Sequence, residues 1–227
     1  MSDAPLIRHL GLAAYEPTWR AMQRFTDERE SSTPDEIWFV EHPPVFTLGL
    51  NASREHLLSP GDIPVVQIDR GGQVTYHGPG QLVVYPLVDL RRRRLGVRDL
   101  VVALEDAVIA YAAELGVAAQ GSRANPGVYV AGAKLASLGL RIRRGASYHG
   151  MALNVCGDLT PFERINVCGH RGLKVTQLAD HVARFAANGA AGIDMAARGL
   201  TPHLLRQLKF GSECSAINTD LQAVNSR

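Results

Sequence analysis

Cys168 is the first candidate for chemistry in this chain, read either as a nucleophilic thiol or as a buried free thiol. It stands in Val167-Cys168-Gly169-His170, a loop after a short helical signal, and no apolar period around it calls for a buried small residue. A thiol attacks as its thiolate, and its unperturbed pKa is about 8.5, so a cation or a base must stand beside it. Lys134 is one candidate. It is alone in the small, apolar segment 130–138, and it is one of three lysines, with Lys174 and Lys209, against twenty-one arginines. A lysine there either snorkels off a strand edge or reaches into a site, and in an arginine-rich chain the second reading is a titratable amine. His77 and His149, each followed by glycine, are the other candidates, and Asn154 is placed to orient an imidazole as in a thiol hydrolase. Spacing does not decide between amine and imidazole. Cys156 continues an apolar strand and reads as core or wall, while Cys214 lies in a weakly patterned tail. The eight histidines and three cysteines form no CxxC or HxxxH pair, so no metal site is expected.

These residues need a scaffold, and residues 70–81 are its centre: Arg-Gly-Gly-Gln-Val-Thr-Tyr-His-Gly-Pro-Gly-Gln holds four glycines and a proline. Such a stretch beside the apolar strand 82–87 reads either as a tight hairpin or as a pocket wall where backbone meets a ligand. It is no phosphate loop, since GxxxxGK[ST] is absent. Around it the pattern predicts strands over 6–13, 37–40, 45–50, 64–69 and 81–90, with a helical turn in 51–58. Pro17 is expected to open a helix over 18–30. The clearest helix is 98–115, with Val97, Leu100, Val101, Leu104, Val108, Tyr111 and Leu115 on one face and Gly116 as its cap. A three-strand meander with glycine turns follows over 127–155, then a capped helical turn at 160–165 and helices over 177–187 and 193–208. The expectation is a single α+β (mixed α/β) domain over 1–210. The polar tail 211–227 is a candidate for disorder.

Composition narrows the function. Hydrophobic residues make up 46% and charged residues 20%, an ordinary soluble profile, and a net charge of +2 gives no general case for nucleic-acid binding. The arginines at 91–94 and at 141, 143 and 144 are local blocks, read as solvated loops or, for 91–94, as a dock for an acidic protein. Three cysteines do not make a secreted disulfide scaffold, the first residues lack a signal-peptide pattern, and no apolar run reaches membrane-spanning length. Cytoplasm is the expected compartment.

Residues 70–81 resemble the signature of the lipoyl(octanoyl) transferases, and residues 132–143, His149-Gly-Met-Ala-Leu-Asn154 and the Cys168-Gly169 loop match in the same order. The resemblance covers roughly residues 35 to 180. It implies the catalytic fold of the biotin–protein and lipoate–protein ligases, and transfer of an octanoyl group from acyl carrier protein to a lysine of lipoyl domains. Those acceptors are the E2 subunits of 2-oxoacid dehydrogenases and the glycine cleavage H protein. It further implies Cys168 as the nucleophile that becomes an acyl thioester and Lys134 as the neighbour that lowers its pKa. An acyl pocket would be lined by Arg70, Gly71, Gly72, Gln73, Val74, Thr75, Tyr76 and His77, with Ser137, Leu138, Gly139, Gly150, Met151 and Ala152. Backbone N–H groups of the glycine-rich stretch and near Cys168 are expected to hold the oxyanion. No cofactor is implied, because thioester exchange followed by amide formation runs downhill without a nucleotide. One departure is visible: the family commonly has proline before the nucleophile, and here it is Val167. Three other readings share these residues: an ATP-dependent ligase on the same fold, a cysteine–histidine thioesterase, and an acyl-binding module without catalysis.

Overall fold

The computed structural model describes residues 4–186, 189–211 and 217–219. Its strands in chain order are β1 (Leu6–Leu12), β2 (Glu36–Glu41), β3 (Val45–Leu48), β4 (Val65–Gln67), β5 (Val74–His77), β6 (Gln81–Leu87), β7 (Ala119–Gly121), β8 (Gly127–Val130), β9 (Ala133–Arg143), β10 (Ala146–Asn154) and β11 (Ile217–Thr219). Helices α1 (Tyr15–Asp27), α2 (Leu90–Arg93), α3 (Val97–Glu114), α4 (Ala183–Ala186) and α5 (Gly189–Gln207) complete the architecture. Eight strands form one sheet in the order β11-β1-β2-β6-β10-β9-β8-β7, and β4-β3-β5 form a second, smaller one. The expected mixed α/β class is what the chain adopts.

Period-two alternation decides which side each strand residue faces. Ile37 and Phe39 of β2, Leu82 and Val84 of β6, and Met151 and Leu153 of β10 pack with Leu100 and Leu104 of α3 and Leu200 and Leu204 of α5. Trp38, Val40, Val83, Tyr85 and Ala152 turn the other way onto Tyr15, Trp19 and Met22 of α1. A third cluster joins the small sheet (Phe46, Leu48, Val74, Tyr76) to Phe162, Ile165 and Val167 in the segment leading to Cys168. Each fully buried side chain of this kind contributes about 1.5–3 kcal/mol, so all three clusters anchor what is attached to them.

The meander over 127–155 forms as expected. Its two hairpins turn at Ala131-Gly132 and Arg144-Gly145, all four at positive φ, the geometry of two-residue turns that match strand twist. The glycine-rich stretch differs from a simple hairpin. β5 pairs with β3 and β6 with β2 and β10, so the turn at residues 78–80 carries the chain from the small sheet to the large one. Helix α1 starts at Tyr15, ahead of Pro17, because a proline in the first turn has no amide bond to lose. The single helix expected over 177–187 is instead a 3-10 turn, Leu178–Asp180, followed by α4. Asp180 accepts from Gln177 N and Thr176 Oγ1 and closes that turn on itself. The arginine run is a short helix rather than a loop: Asp89 caps α2, Arg94 closes it at φ 51, and Arg93 is buried against Asp35, while Arg91, Arg92 and Arg94 are exposed as expected. In the tail, β11 pairs in parallel with β1, and residues 212–216 and 220–227 of the segment considered for disorder lie outside the described residues.

Candidate active site

The segment carrying Cys168 is held at both flanks. Val167 is buried in the third cluster, and Asn166 N–H donates to His56 O at 2.8 Å. Between these anchors Cys168 adopts a left-handed conformation (φ 53, ψ 25), and Gly169 follows at φ 80. Such backbone is costly for a residue with a side chain and persists where its surroundings over-determine it. Its sulfur comes 2.9 Å from Lys134 Nζ.

Lys134 reaches that position through an irregularity in β9. Gly127 pairs with Ser137 and Val128 with Ala136, whereas Tyr129 pairs with Lys134, so Leu135 is an extra residue. An extra residue reverses the alternation upstream of it, which brings Lys134 onto the face of Ser137 rather than that of Ala136. The backbone is locked there by Lys134 N–H to Lys174 O (2.8 Å) and Thr176 N–H to Lys134 O (3.0 Å), so the strand segment after the cysteine loop holds its lysine partner. The side chain is 1% exposed. It crosses the space where Gly127 has no side chain, and a Cβ there would sit 2.7 Å from Lys134 Cε. Its ammonium also donates to Pro126 O at 3.3 Å and lies 5.3 Å from the Tyr129 ring.

Beside this pair opens a cavity of about 350 Å³, within the size range of small-molecule pockets. Of the residues expected to line it, Arg70, Gly71, Gly72, Gln73, Val74, Thr75, His77, Ser137, Leu138, Gly139, Gly150, Met151 and Ala152 do so, together with Cys168. Tyr76 does not. It points to the opposite side of β5, where its ring packs 5.6 Å from Phe46 and 5.4 Å from Phe162. Lining residues that the sequence reading missed include Tyr15, Val83, Tyr85, Leu140, Asn125, Pro126 and His170, brought in from distant elements. Val97 and Val101 also line it, and Val97 is exposed rather than packed on the buried face of α3.

Polar anchors fix the walls. Asp69 accepts from Trp19 Nε1 (2.8 Å), Gln23 Nε2 (3.2 Å), His149 Nε2 (2.9 Å) and the Tyr148 hydroxyl, tying the start of the glycine-rich stretch to α1 and β10. Burial pushes the Asp69 carboxyl up, but these donors outweigh it and hold it well below the carboxylate range. Arg70 donates through Nη2 to Thr47 O and Oγ1 and through Nη1 to Gly71 O. The proposed histidine partners of the thiol are engaged elsewhere. His77 Nδ1 donates to Gln81 Oε1 (2.7 Å), His149 is bound to Asp69, and burial drives both imidazoles below their ordinary pKa. Asn154 orients no imidazole. It accepts from Gln81 and donates to Thr176 O, which links His77 through Gln81 and Asn154 to the strand segment that holds Lys134. Two backbone donors near the site are taken, Gly71 N–H by Leu140 O and Gly169 N–H by Asn166 O. Arg70 Nε, Thr75 Oγ1 and His149 Nδ1, which belong to residues lining the cavity, are buried without a hydrogen-bond partner. Among the described residues no cluster of three or more His, Cys, Asp or Glu is arranged to hold a metal, and no helix is long and apolar enough to cross a membrane.

Comparison with known proteins agrees with this geometry. The family model of the lipoyl protein ligase A/B catalytic domain matches residues 14–191, which adds α1 to the stretch carrying the motifs. An octanoyltransferase of Chromobacterium violaceum is 57% identical over 208 residues, covering 92% of this chain and 98% of its own. Among solved structures, lipoate–protein ligase A bound with ATP superposes with a TM-score of 0.76 at 15% identity, over 97% of this chain and 90% of that one. The biotin protein ligase of Aquifex aeolicus gives 0.52 at 12% identity, over 90% and 69%. At those identities the two ligases speak to the fold alone. The bacterial relative speaks to the family, and by it and the matched domain the chain belongs to the octanoyltransferases of the lipoyl protein ligase A/B catalytic-domain group.

Proposed function

We propose that Cys168 and Lys134 carry an octanoyl group from acyl carrier protein to a lysine of a lipoyl domain, as on E2 subunits of 2-oxoacid dehydrogenases or the glycine cleavage H protein. The observation that carries this reading is the 2.9 Å approach of a buried ammonium to a thiol on the wall of an apolar cavity. An ammonium so placed favours the thiolate by Coulombic attraction in a partly dry site. The thiolate attacks the thioester carbonyl of the donor, a C–S bond to Cys168 forms, and the carrier thiolate departs with a proton from Lys134. Lys134 is then a neutral amine. It takes the proton from the acceptor lysine as that amine attacks, the C–N bond forms, and the C–S bond breaks to restore thiolate and ammonium. Arg70 Nε and Thr75 Oγ1 supply donors for the carbonyl oxygen in both tetrahedral states. Val83, Leu138, Leu140, Met151 and Ala152 present the apolar wall for the alkyl chain. The cytoplasm keeps such a thiol reduced, and we place the reaction there.

Intact-protein mass spectrometry after mixing with octanoyl-acyl carrier protein, without ATP, tests the reading. A hydroxylamine-labile octanoyl adduct is expected on the wild type, absent from Cys168→Ser and formed slowly by Lys134→Ala. A wild type that stays unmodified without ATP would refute the covalent transferase.

A further inference from the structure

The peptide between Pro126 and Gly127 lies between two charged side chains. On its carbonyl side Pro126 O accepts from Lys134 Nζ (3.3 Å), and the same nitrogen touches Cys168 Sγ. On its amide side Gly127 N–H donates to Glu105 Oε1 at 2.6 Å. The C=O and N–H of a trans peptide point in opposite directions, so carboxylate, peptide, ammonium and sulfur follow one another in a single run.

Glu105 comes from the middle of α3, is 8% exposed, and shares its helix face with Leu104 and Val108 of the main core. A carboxylate buried there costs stability unless it is well paired. Burial raises its carboxyl above the usual value, while the Gly127 amide and the charge of Lys134 act in the opposite sense. Its partner is the peptide that also contacts Lys134. We infer that Glu105 is a positioning residue for the Cys168–Lys134 pair, acting through the Pro126–Gly127 peptide. Two effects follow from the geometry. The carboxylate fixes the peptide plane so that Pro126 O faces the ammonium. Its negative charge also polarises the peptide, making that oxygen a stronger acceptor for a cation and favouring the charged lysine beside the sulfur. The other titratable groups around the run include Tyr129, whose ring lies 5.3 Å from Lys134 Nζ, Asp106 on the same helix, Arg70 and His170 on the cavity wall, and His56 beside Gly169.

This inference rests on Cys168 and Lys134 being the reacting pair, and its test separates the two claims. The rate of iodoacetamide alkylation at the Cys168 peptide is followed by mass spectrometry from pH 5 to pH 10 for wild type, E105Q, E105A, K134A and E105Q/K134A. E105Q keeps the shape and an acceptor oxygen but removes the charge. Its half-maximal pH is expected to rise, with alkylation roughly three- to tenfold slower on the acid side. K134A should move further in the same direction, and the double variant should coincide with K134A. E105A, which also loses the hydrogen bond, should exceed E105Q. An E105Q profile superimposed on wild type while K134A moves would overturn the role of Glu105, even if the variant melts at a lower temperature. An E105Q effect that persists in the K134A background would also overturn it, because the action would not pass through the lysine. A K134A profile identical to wild type would instead overturn the pair itself, and Glu105's role with it.

Discussion

Gly127→Ala is a one-carbon change that tests how Lys134 is placed without replacing either reacting residue. Gly127 has φ +150, and a Cβ added there would stand 2.7 Å from Lys134 Cε, 3.1 Å from its Nζ and 2.8 Å from Ala136 O. The carbonyl belongs to β9 and yields little, so the variant also carries backbone strain at φ +150, and the flexible lysine is the neighbour that moves most. Restoring an ordinary contact of 3.4 Å to Cε requires a retreat of about 0.7 Å. If Nζ follows, its separation from Cys168 Sγ grows from 2.9 Å to about 3.6 Å. At an effective dielectric of about 20, the attraction between unit charges falls from about 5.7 to about 4.6 kcal/mol. The loss of about 1 kcal/mol corresponds to a roughly sixfold smaller thiolate advantage. Single-turnover acylation by octanoyl-acyl carrier protein should slow by at least that factor, and alkylation of Cys168 near neutral pH should slow in parallel. Circular dichroism checks that the variant is folded. Wild-type rates in both assays from a folded Gly127→Ala protein would refute the claim that this missing side chain seats the lysine.

Two further outcomes concern the scaffold. Burial lowers His42 from its ordinary 6.5 to about 4, with Nδ1 donating to Ala13 O and Nε2 accepting from Tyr85. The unfolded chain therefore binds this proton first. Stability is fully present above pH 6.5 and falls by about 1.4 kcal/mol per unit below it, to a total of about 3 kcal/mol near pH 4. Urea unfolding at pH 7 and pH 5 should show that slope diminished in His42→Gln, and an unchanged slope would refute the assignment. Gly150 pairs with Gly139, and a Cβ on it would lie 2.0 Å from Val84 O and 2.6 Å from Pro86 Cδ. Gly150→Ala should therefore separate β10 from β6 and cost about 3 kcal/mol, a fall of roughly 6–12 °C in Tm. An unchanged melting curve would show that β6 yields freely.

Much of this protein is legible one residue at a time. Alternation along β2, β6 and β10, the face of α3 and the glycine turns of the meander are local patterns, and the strands and helix formed where those patterns lie. Cys168 and Lys134 stood out by composition, as a thiol without an apolar period and a lysine in an arginine-rich chain. The glycines of residues 70–81 marked either a tight hairpin or a wall where backbone meets a cavity, and the structure has Gly71 and Gly72 on the cavity. Contacts between distant segments were beyond that reach. Spacing left amine and imidazole equal as partners of the thiol. Only folding showed His149 spent on Asp69, His77 on Gln81, and Lys134 turned by the extra residue Leu135 onto the sulfur. Tyr76 reads from sequence like its neighbours, yet pairing of β5 with β3 turns it into the third cluster. Arg93 looks solvated in a run of four, yet Asp35, 58 residues earlier in the chain, buries it. A residue's propensity acts within a turn or two of its own backbone, so sequence alone determined the elements and the inventory of reactive groups. Which groups meet depends on register, bulges and the packing of sheets and helices, and these long-range choices were made only by the tertiary structure.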